Sequence, residues 1–569
     1  MSGPRPVSAL EGVRPYALQP IGAPIDLKLD LNEGQSPPER VLDSLVHLDP
    51  ERVRLYPSAV SLEARLAERV RVSADRVIVT NGGDDAIDRV CRATIEPGRN
   101  AVLTTPTFEM IGRSVALSGG KARQVEWIEG ELPLDEMLGE VDDATGLIAV
   151  VTPNNPTGQV ASLEALRSLS EAAPHAVLLV DLAYTEFADL DPTESLLSLP
   201  NAVIIRTLSK AWGLAGARVG YAIGPLEVIG WLRAAGGPFA VSGPSIEIAL
   251  QAIEGEQPRS FIDQVKSERA RLVELLQELG LRAAPSQGNF VLARSDRPRL
   301  VRDALAGLGV AVRYFGDKPG LTDAIRITCP GDQKAFDRLC PALLAAVRPE
   351  AVLFDLDGVI ADVSRSYRQA IVKTAASYGV EVTAADIANA KAAGDANNDW
   401  VLTRDLLASK RVEADLDEVT ERFERLYQGT ESEPGLREQE SMLVSRDELS
   451  MLAGRYRLGI VTGRPRADAE RFLEQHEIAG LFEVTVCMED AALKPDPAPV
   501  RLALARLGIT SAWMIGDTPD DIRAARGAGV VPVGVPAPGE RAESVRTSLT
   551  AAGAGIVIER TPELARILP

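Results

Sequence analysis

Histidine and cysteine are scarce in this 569-residue chain, which contains 3 histidines and 4 cysteines. The cysteines form no CxxC pair, so their spacing indicates neither a disulfide framework nor a zinc knuckle. So few histidines also argue against a multi-histidine metal centre. With these classes excluded, the composition is typical of a cytoplasmic enzyme, and we expect that location.

Long apolar runs and an excess of positive charge are also missing. No stretch approaches the roughly 20 apolar residues of a membrane-spanning helix, and the N-terminal segment lacks the apolar core of a signal peptide. The formal net charge of −20 disfavours nucleic acid and anionic membrane surfaces, because both are polyanions. We therefore expect small molecules as partners, with no nucleic acid and no membrane, since local Arg and Lys residues can still hold anionic substrates.

Short β-branched runs alternate with helical patterns in two stretches, one from about residue 70 to 350 and one beginning at Ala351. Continuous apolar strands separated by helices are typical of mostly parallel sheets that are covered on both faces, so the predicted fold class is α/β. Between the first two strands of the second stretch lies a mostly helical insert of a size suited to a cap. The predicted boundaries are an arm at 1–40, a large domain at 41–240, a small domain at 241–347, and a second α/β domain at 350–569 with its cap at about 365–448.

Three features of the first stretch indicate a phosphorylated pyridine cofactor. The Gly82–Gly83 turn opens a helix whose backbone N–H groups could approach a phosphate, although such a turn alone is more often only a turn. Asp181 ends a strand, where it could keep a pyridine nitrogen protonated or simply cap a helix. Lys210, in a Ser- and Gly-rich segment, could form a Schiff base, although a lone lysine is usually a solvated charge.

Further motifs resemble those of fold-type I aminotransferases, which depend on pyridoxal 5′-phosphate (PLP). They are Thr-Pro-Asn-Asn-Pro-Thr-Gly at 152–158, Asp181-x-x-Tyr184, Ser209-Lys210 and Arg218. Four more motifs narrow the resemblance to the histidinol-phosphate aminotransferase group, over about residues 10–345. These are Leu55-Tyr56-Pro57, Pro106-Thr107-Phe108, Gly288-Asn289-Phe290 and Arg326-Ile327-Thr328.

The resemblance implies a PLP-dependent aminotransferase fold with a large and a small domain, and it implies a role for each matching residue. Lys210 would carry PLP as a Schiff base and move a proton during transamination, while Asp181 would pair with the pyridine nitrogen. The other expected cofactor contacts are Gly83, Asp84, Thr207, Ser209 and Arg218 at the phosphate, Asn155 and Tyr184 at the ring hydroxyl, Phe108 at the ring face, and Tyr56 from a second subunit. The role of Tyr56 implies a homodimer formed by this half.

Two arginines complete the predicted substrate set. Arg326 would grip the α-carboxylate of glutamate through a bidentate fork. Arg313 matches a position that helps to receive the phosphate of the second substrate in this family, although a strand arginine is otherwise usually a surface ion pair. Asn289 belongs to the same expected set.

In the second stretch, Asp355 and Asp357 leave an apolar strand two residues apart, which places both carboxylates on one side. An ionised carboxylate can attack phosphorus, and a second carboxyl can protonate the leaving oxygen and then activate water. For this pair alone, an acidic turn after a strand would be the better interpretation. Further chemistry-bearing residues follow later strands and change that interpretation: Thr462, Lys494, Asp517 and Asp521.

The complete set, in this order, resembles the haloacid dehalogenase (HAD) superfamily over residues 350–569, which implies a Rossmann-like domain. By that resemblance Asp355 is the nucleophile, Asp357 is the acid and base, and Thr462 and Lys494 stabilise the phosphoryl group. The expected Mg²⁺ ligands are Asp355, Asp357, Asp517 and Asp521, because oxygen-only ligands suit Mg²⁺ better than zinc. An acid and base at Asp357 favours phosphatase or phosphotransferase activity over dehalogenation.

The two resemblances together lead us to expect a bifunctional enzyme of histidine biosynthesis. It would transaminate imidazole-acetol phosphate with glutamate to give L-histidinol phosphate, and would then dephosphorylate that product to L-histidinol. The large cap is a departure, since HAD-type histidinol phosphatases are compact and carry a Cys/His zinc loop. Alternatives are another phosphorylated amino acid or a phosphonate as substrate, or a noncatalytic C-terminal module. A polar cluster at 394–400 could read the substrate, or could be only a cap loop or a helix start.

Overall fold

The computed structural model describes residues 6–10, 13, 15–16, 19–393, 398–540 and 542–569. Most of the polar cluster predicted at 394–400 lies outside the described residues. Among those described, no helix is both long and apolar enough to cross a bilayer. The chain forms two compact units, one of Met1–Leu18, Leu29–Pro298 and Val312–Asp337, and the other of Gln19–Lys28, Arg299–Ala311 and Arg338–Pro569. The domain boundaries stated above stay predictions.

A seven-stranded sheet forms the centre of the first unit. All neighbouring strands pair in parallel except Val219–Ile223, which runs antiparallel to both of its neighbours. Nearly every residue of the central strands is buried, as expected for apolar runs covered on both faces. In spatial order the strands are Val77–Asn81, Val219–Ile223, Ala202–Thr207, Val177–Asp181, Thr145–Val151, Asn100–Thr105 and Lys121–Glu126.

Amphipathic helices accompany this sheet. Gly82–Thr94 begins directly after the strand Val77–Asn81, and Leu163–Ala172 begins where the Ser162 side chain caps the Ala165 N–H. The described helices of this part of the chain are Glu39–Val46, Glu51–Arg54, Val60–Val70, Gly82–Thr94, Glu109–Leu117, Leu134–Gly139, Leu163–Ala172, Thr193–Leu196, Leu226–Ala235, Gly243–Glu254 and Arg259–Glu278.

A second, five-stranded sheet brings the predicted substrate arginines side by side. Its strands Val310–Tyr314 and Ala324–Thr328 are antiparallel neighbours, with Arg313 opposite Arg326. The spatial order is Leu27–Leu29, Val310–Tyr314, Ala324–Thr328, Phe290–Arg294 and Arg282–Ala283. Two further helices of this region are Pro298–Gly307 and Gln333–Val347.

The second unit contains a six-stranded sheet whose described pairings are all parallel. The predicted α/β class is thereby confirmed for both stretches of the chain. In spatial order the strands are Val484–Val486, Arg457–Val461, Ala351–Phe354, Ala512–Gly516, Val531–Gly534 and Ile556–Val557. The described helices alongside are Arg446–Ala453, Arg466–Gln475, Ala498–Leu507, Pro519–Gly527, Ala542–Ala552 and Leu564–Ile567.

A helical insert interrupts this sheet after its first strand. The chain leaves and returns through a short antiparallel ribbon, in which Ala361 pairs with Met442 and Asp362 with Ser441. Helix starts inside the insert are capped by polar side chains, as Asp415 accepts from the N–H groups of Asp417 and Glu418. The described helices of the cap are Tyr367–Ser377, Ala384–Ala393, Asp399–Ser409 and Leu416–Gln428.

Candidate active sites

In the first unit a cavity of about 890 Å³ lies beyond the carboxyl ends of the parallel strands, where open α/β sheets bind their ligands. Its walls combine predicted cofactor residues with predicted substrate residues. The predicted residues that line it are Gly83, Asp84, Phe108, Asn155, Asp181, Tyr184, Thr207, Ser209, Lys210, Arg218, Arg313 and Arg326.

Lys210 follows the strand Ala202–Thr207 and offers its amine to this cavity. Its Nζ donates a hydrogen bond to the backbone carbonyl of Leu31 at 3.0 Å. Burial, followed by the positive charge of Arg326, lowers the pKa of the amine to about 8. Lys210 is thus a buried primary amine that loses its proton more readily than an ordinary lysine, and the neutral amine is the form that attacks a carbonyl carbon.

Asp181 is buried at the end of the strand Val177–Asp181. Burial raises the pKa of its carboxyl to about 6, although Oδ1 accepts a hydrogen bond from the Ala183 N–H at 3.0 Å. A buried carboxylate at that position is matched by a cationic partner such as a protonated pyridine nitrogen.

A cradle for an anion lies at the start of the helix Gly82–Thr94. Free N–H groups at a helix N-terminus favour phosphate, and here they are joined by the Thr207 and Ser209 hydroxyls, whose oxygens lie 2.9 Å apart. Arg218 donates to Asp84 Oδ2 at 3.0 Å and so stands beside the same helix start. Together with the Lys210 amine and the buried Asp181, this donor set fits PLP.

Arg326 is the central cation of the substrate side of the cavity. Its Nη1 donates to Asn155 Oδ1 at 2.5 Å, and its Nη2 donates to the Asp30 carbonyl at 2.6 Å. Burial, together with the nearby charge of Arg313, lowers its pKa to about 10, although Tyr184 opposes this. A buried guanidinium with an orphaned Nε is prepared for an anionic ligand.

Two predicted site residues lie outside the cavity wall. Tyr56 is 82% exposed and stacks on Phe239 with ring centroids 4.6 Å apart, so within its own subunit it does not reach the cofactor residues. Asn289 is buried and donates to the Asn32 carbonyl at 3.2 Å. Their expected roles, from a second subunit and toward the substrate, stay predictions.

The segment 30–35 belongs to the cavity, although sequence reasoning assigned it only to an arm. Asn32 is buried, has a left-handed φ of 57°, and donates from Nδ2 to the Tyr184 hydroxyl at 3.1 Å. Leu31, Glu33 and Tyr16 line the cavity wall. The local feature that marks this segment is the left-handed φ of Asn32. A sequence alone does not reveal φ, so sequence reasoning had no means of finding it.

In the second unit, three of the four predicted acidic residues meet at the carboxyl end of the sheet. Asp355, Asp517 and Asp521 each offer an oxygen within 4.8 Å of the others, and all three are buried. The chain turns closely around them, since a Cβ on Gly358 (φ 74°) would lie 2.3 Å from Asp517 Oδ2. Three clustered carboxylate oxygens form a donor set that fits Mg²⁺.

Lys494 joins this cluster as a fixed cation. Its Nζ donates to Asp355 Oδ1 at 2.7 Å and to Asp521 Oδ1 at 2.5 Å. Burial alone would lower the pKa of this amine, but the two adjacent carboxylates raise it above its usual value. Burial raises the pKa of the Asp355 carboxyl, against the opposing effect of Lys494.

Asp357 and Thr462 complete the predicted set. The Asp357 carboxylate does not join the three-carboxylate cluster, because its Oδ1 accepts from Arg464 Nε at 2.5 Å. Its place among the metal ligands therefore stays a prediction. Thr462 is buried at the end of the strand Arg457–Val461, and its hydroxyl accepts from the Arg464 N–H at 3.2 Å. Sequence reasoning missed Arg464, for which Thr-Gly-Arg-Pro was the available signal.

Comparison with known proteins gives a family for each of two consecutive stretches of the chain. Residues 27–343 match the family described as aminotransferase class I and II, and residues 352–535 match that described as haloacid dehalogenase-like hydrolase. A histidinol-phosphate aminotransferase of Geobacillus thermodenitrificans is 31% identical over 347 residues, covering 58% of this chain and 94% of that relative. A histidinol-phosphate aminotransferase of Roseiflexus castenholzii is 33% identical over 344 residues, covering 57% of this chain and 92% of that relative.

Solved structures show the same fold for the first part of the chain. The crystal structure of histidinol-phosphate aminotransferase from Sinorhizobium meliloti in complex with pyridoxal-5′-phosphate aligns with a TM-score of 0.55 at 24% identity, covering 61% of this chain and 98% of that one. The predicted aminotransferase fold followed by a HAD-like domain is thereby confirmed. The chain belongs to the class I and II aminotransferases and also carries a haloacid dehalogenase-like hydrolase domain, so it is an enzyme with a PLP-dependent transferring half and a hydrolytic half.

Proposed function

We propose that the two halves catalyse consecutive steps of histidine biosynthesis. The first half would transfer the amino group of glutamate to imidazole-acetol phosphate, giving L-histidinol phosphate and 2-oxoglutarate. The second half would hydrolyse L-histidinol phosphate to L-histidinol and inorganic phosphate. The observation that supports this most is that Arg313 and Arg326 line the same cavity as Lys210.

The two arginines suit a pair of substrates that bind in turn. Both substrates are anionic, one through carboxylates and the other through a phosphate. Arg326 offers a planar fork that matches a carboxylate, and Arg313 lies opposite it on the neighbouring strand. A cavity with two adjacent cations can thus hold either anion while the reacting carbon stays near the Lys210 amine.

When bound, PLP supplies an electron sink that stabilises negative charge at the substrate Cα. The residues of this chain would bind and orient the cofactor and move the proton. Asp181 would hold the pyridine nitrogen, the helix start with Thr207, Ser209 and Arg218 would hold the phosphate, and Lys210 would move the proton at Cα. The segment around Leu31 and Asn32 would exclude water from the amine.

In the second half, Asp355 would attack phosphorus as the bond between phosphorus and the leaving oxygen breaks. Asp357 would give a proton to that oxygen, and would then take a proton from the water that hydrolyses the aspartyl-phosphate. Lys494 and Thr462 would offset the charge of the transferred group. Mg²⁺, when held by Asp355, Asp517 and Asp521, supplies further positive charge at the same place.

The proposal extends to assembly and location. The protein would be a cytoplasmic homodimer whose first half completes its cofactor site with Tyr56 of the partner subunit. The exposed Tyr56 and Phe239 pair supports this, because two stacked exposed aromatic side chains favour burial at an interface. Sedimentation of the holoenzyme should give a dimer, and a monomer that retains full activity would contradict this part.

The transamination test uses the full chain loaded with PLP. L-histidinol phosphate should transfer its amino group to 2-oxoglutarate, giving glutamate and imidazole-acetol phosphate. This reaction should be more efficient than the same reaction with aspartate, phenylalanine or L-histidinol as the amino donor. Arg313→Gln should lose more activity with L-histidinol phosphate than with an amino acid that lacks phosphate. Equal losses on both substrates would reject Arg313 as the phosphate-reading residue.

The phosphatase test measures phosphate release with Mg²⁺ from L-histidinol phosphate and a panel of phosphate esters and phosphonates. Efficient release from L-histidinol phosphate, abolished by Asp355→Asn, is expected. Failure on this ester combined with efficient turnover of another phosphorylated amino acid or a phosphonate would establish the alternative substrate. If no ester released phosphate, the result would support the alternative that the C-terminal half is a noncatalytic module.

A further inference from the structure

Arg464 is a buried cation beside the proposed phosphatase site, and its hydrogen-bond partners indicate a specific role. It lies two residues after Thr462, in the loop that follows the strand Arg457–Val461, and only 2% of its surface is exposed. A buried guanidinium is costly unless its charge and its donors are matched. The partners that match it connect the catalytic loop with the cap.

The guanidinium of Arg464 is held by the carboxylates of Glu440 and Asp357. Glu440 accepts from Nη1 through Oε2 at 3.0 Å and from Nη2 through Oε1 at 3.3 Å. This two-point contact fixes the plane of the rigid fork, so Nε has a set direction. Along that direction Nε donates to Asp357 Oδ1 at 2.5 Å.

Glu440 is itself fixed by residues at both ends of the cap. Ser366 Oγ donates to Glu440 Oε1 at 2.7 Å, just before the first cap helix begins at Tyr367. Tyr427, from the last cap helix, donates to the same oxygen at 3.2 Å. Glu440 directly precedes the returning strand Ser441–Met442 of the ribbon. One buried carboxylate thus ties the exit and the return of the cap to Arg464.

We propose that Arg464 is a positioning residue that aims the Asp357 carboxyl at the leaving group, and that Glu440 holds Arg464 for this purpose. The inference rests on the proposed phosphatase function. With Oδ1 bound by Arg464, Oδ2 is the oxygen that transfers the proton. It gives this proton to the leaving oxygen as the phosphorus–oxygen bond breaks, and it later takes one proton from the attacking water.

The dependence of kcat/KM on the leaving group distinguishes a positioning role of Arg464 from a purely structural one. A good leaving group such as p-nitrophenolate departs without a proton, whereas phenolate departs less readily and gains more from general acid catalysis. Because kcat/KM covers the steps through the departure of this group, misplacing Asp357 should harm phenyl phosphate more than p-nitrophenyl phosphate. The two esters are nearly equal in size, so loss of binding or of fold should affect both alike.

The experiment measures kcat/KM of the full-length protein with Mg²⁺ on both esters, for Arg464→Lys and for the double variant Arg464→Gln/Glu440→Gln. The double variant removes both charges together, so neither is left buried alone. We expect the ratio of kcat/KM for p-nitrophenyl phosphate to that for phenyl phosphate to rise about tenfold or more in both variants, within the range that general acids contribute. Asp357→Asn should raise the same ratio.

Arg466→Lys is the matched control, because Arg466 lies two residues after Arg464, at the start of the next helix, and forms more exposed ion pairs with Asp490 and Glu470. It should leave the ratio unchanged. Equal losses on both esters in the folded Arg464 variants, or no loss, would overturn the positioning role while leaving the phosphatase intact. A wild-type protein without Mg²⁺-dependent release from either ester would instead overturn the proposed phosphatase, and the inference with it.

Discussion

Lys210 and Lys494 lie in loops that follow parallel strands, one in each unit, and the pKa values of their amines shift in opposite directions. The Lys210 amine contacts a backbone carbonyl and stands near Arg326, so burial and like charge lower its pKa to about 8. The Lys494 amine lies between two carboxylates, which raise its pKa despite burial. The pKa of the same kind of side chain is therefore lowered in one site and raised in the other, as suits the proposed nucleophile and the proposed fixed cation, and the neighbouring charges decide which.

The largest expected effect comes from removing the nucleophile. Lys210→Ala should lower transamination by on the order of 10³-fold or more, because the proton transfer at Cα loses its base. It should also abolish the visible absorbance of lysine-bound PLP, and leave phosphate release unchanged. Steady-state assays of both activities measure this, with Asp355→Asn as the reciprocal control. If Lys210→Ala also removed phosphatase activity, the two sites would not be independent.

Removing the fixed cation should have a somewhat smaller effect. Lys494→Met leaves the Asp355 and Asp521 carboxylates without the charge between them, so phosphate release should fall by about 10²- to 10³-fold, as for other electrostatic groups of an active site. Transamination should not change. Lys410→Met, at a half-exposed ion pair with Asp386, is the control and should keep both activities. Full phosphatase activity in Lys494→Met would show that Lys494 takes no part in phosphate release.

The contrast in pKa can be measured directly at Lys210. The rate at which the PLP-free protein captures added PLP should rise about tenfold per pH unit at low pH and level off above about pH 8, because the neutral amine reacts. Arg326→Gln removes a positive charge that lowers this pKa, so the midpoint should move up toward the ordinary lysine value of 10.5. Rapid-mixing absorbance gives both profiles, and an unmoved midpoint would show that Arg326 has no such influence.

The smallest expected effect concerns the close approach of the segment 30–35 to the backbone of Lys210. A Cβ on Gly34 would lie 2.0 Å from the Lys210 carbonyl oxygen, so Gly34→Ala should reduce the free energy of unfolding of the first unit by about 1–3 kcal/mol. Gly139→Ala, where a Cβ meets nothing within 4 Å, is the control and should cost little. Thermal unfolding followed by PLP release reports on this unit, and equal stability of the two variants would refute the close approach.

Much of both sites was readable from local patterns. Asp181 ends an apolar β-strand, and Lys210, Asp355, Thr462 and Asp517 each follow one. Such strands end at one edge of a parallel sheet. Period-two geometry and glycine-rich turns carry this information within a few residues of the chain. The α/β class was predicted for the same reason, because short apolar runs alternate with helical patterns along both stretches of the chain.

Other parts of the sites left no local pattern. Asn32 meets Tyr184 across 152 residues, and Arg464 meets Asp357 across 107. Neither contact changes the hydrophobic periodicity of its own segment, so sequence reasoning assigned residues 1–40 to an arm and left Arg464 without a role. Such contacts arise from packing between distant segments, which a single sequence does not encode as a motif.

The sequence by itself indicated the two chemistries, since one amine with its phosphate turn and one ordered set of carboxylates, hydroxyl and lysine resemble the motifs of two known families. Only the tertiary structure decided how each group is prepared for its task. The protonation preference of a lysine and the direction of a carboxyl depend on burial and on charges a few ångströms away. Those distances exist only when Arg326, Asp521 and Glu440 are brought by the fold to Lys210, Lys494 and Arg464.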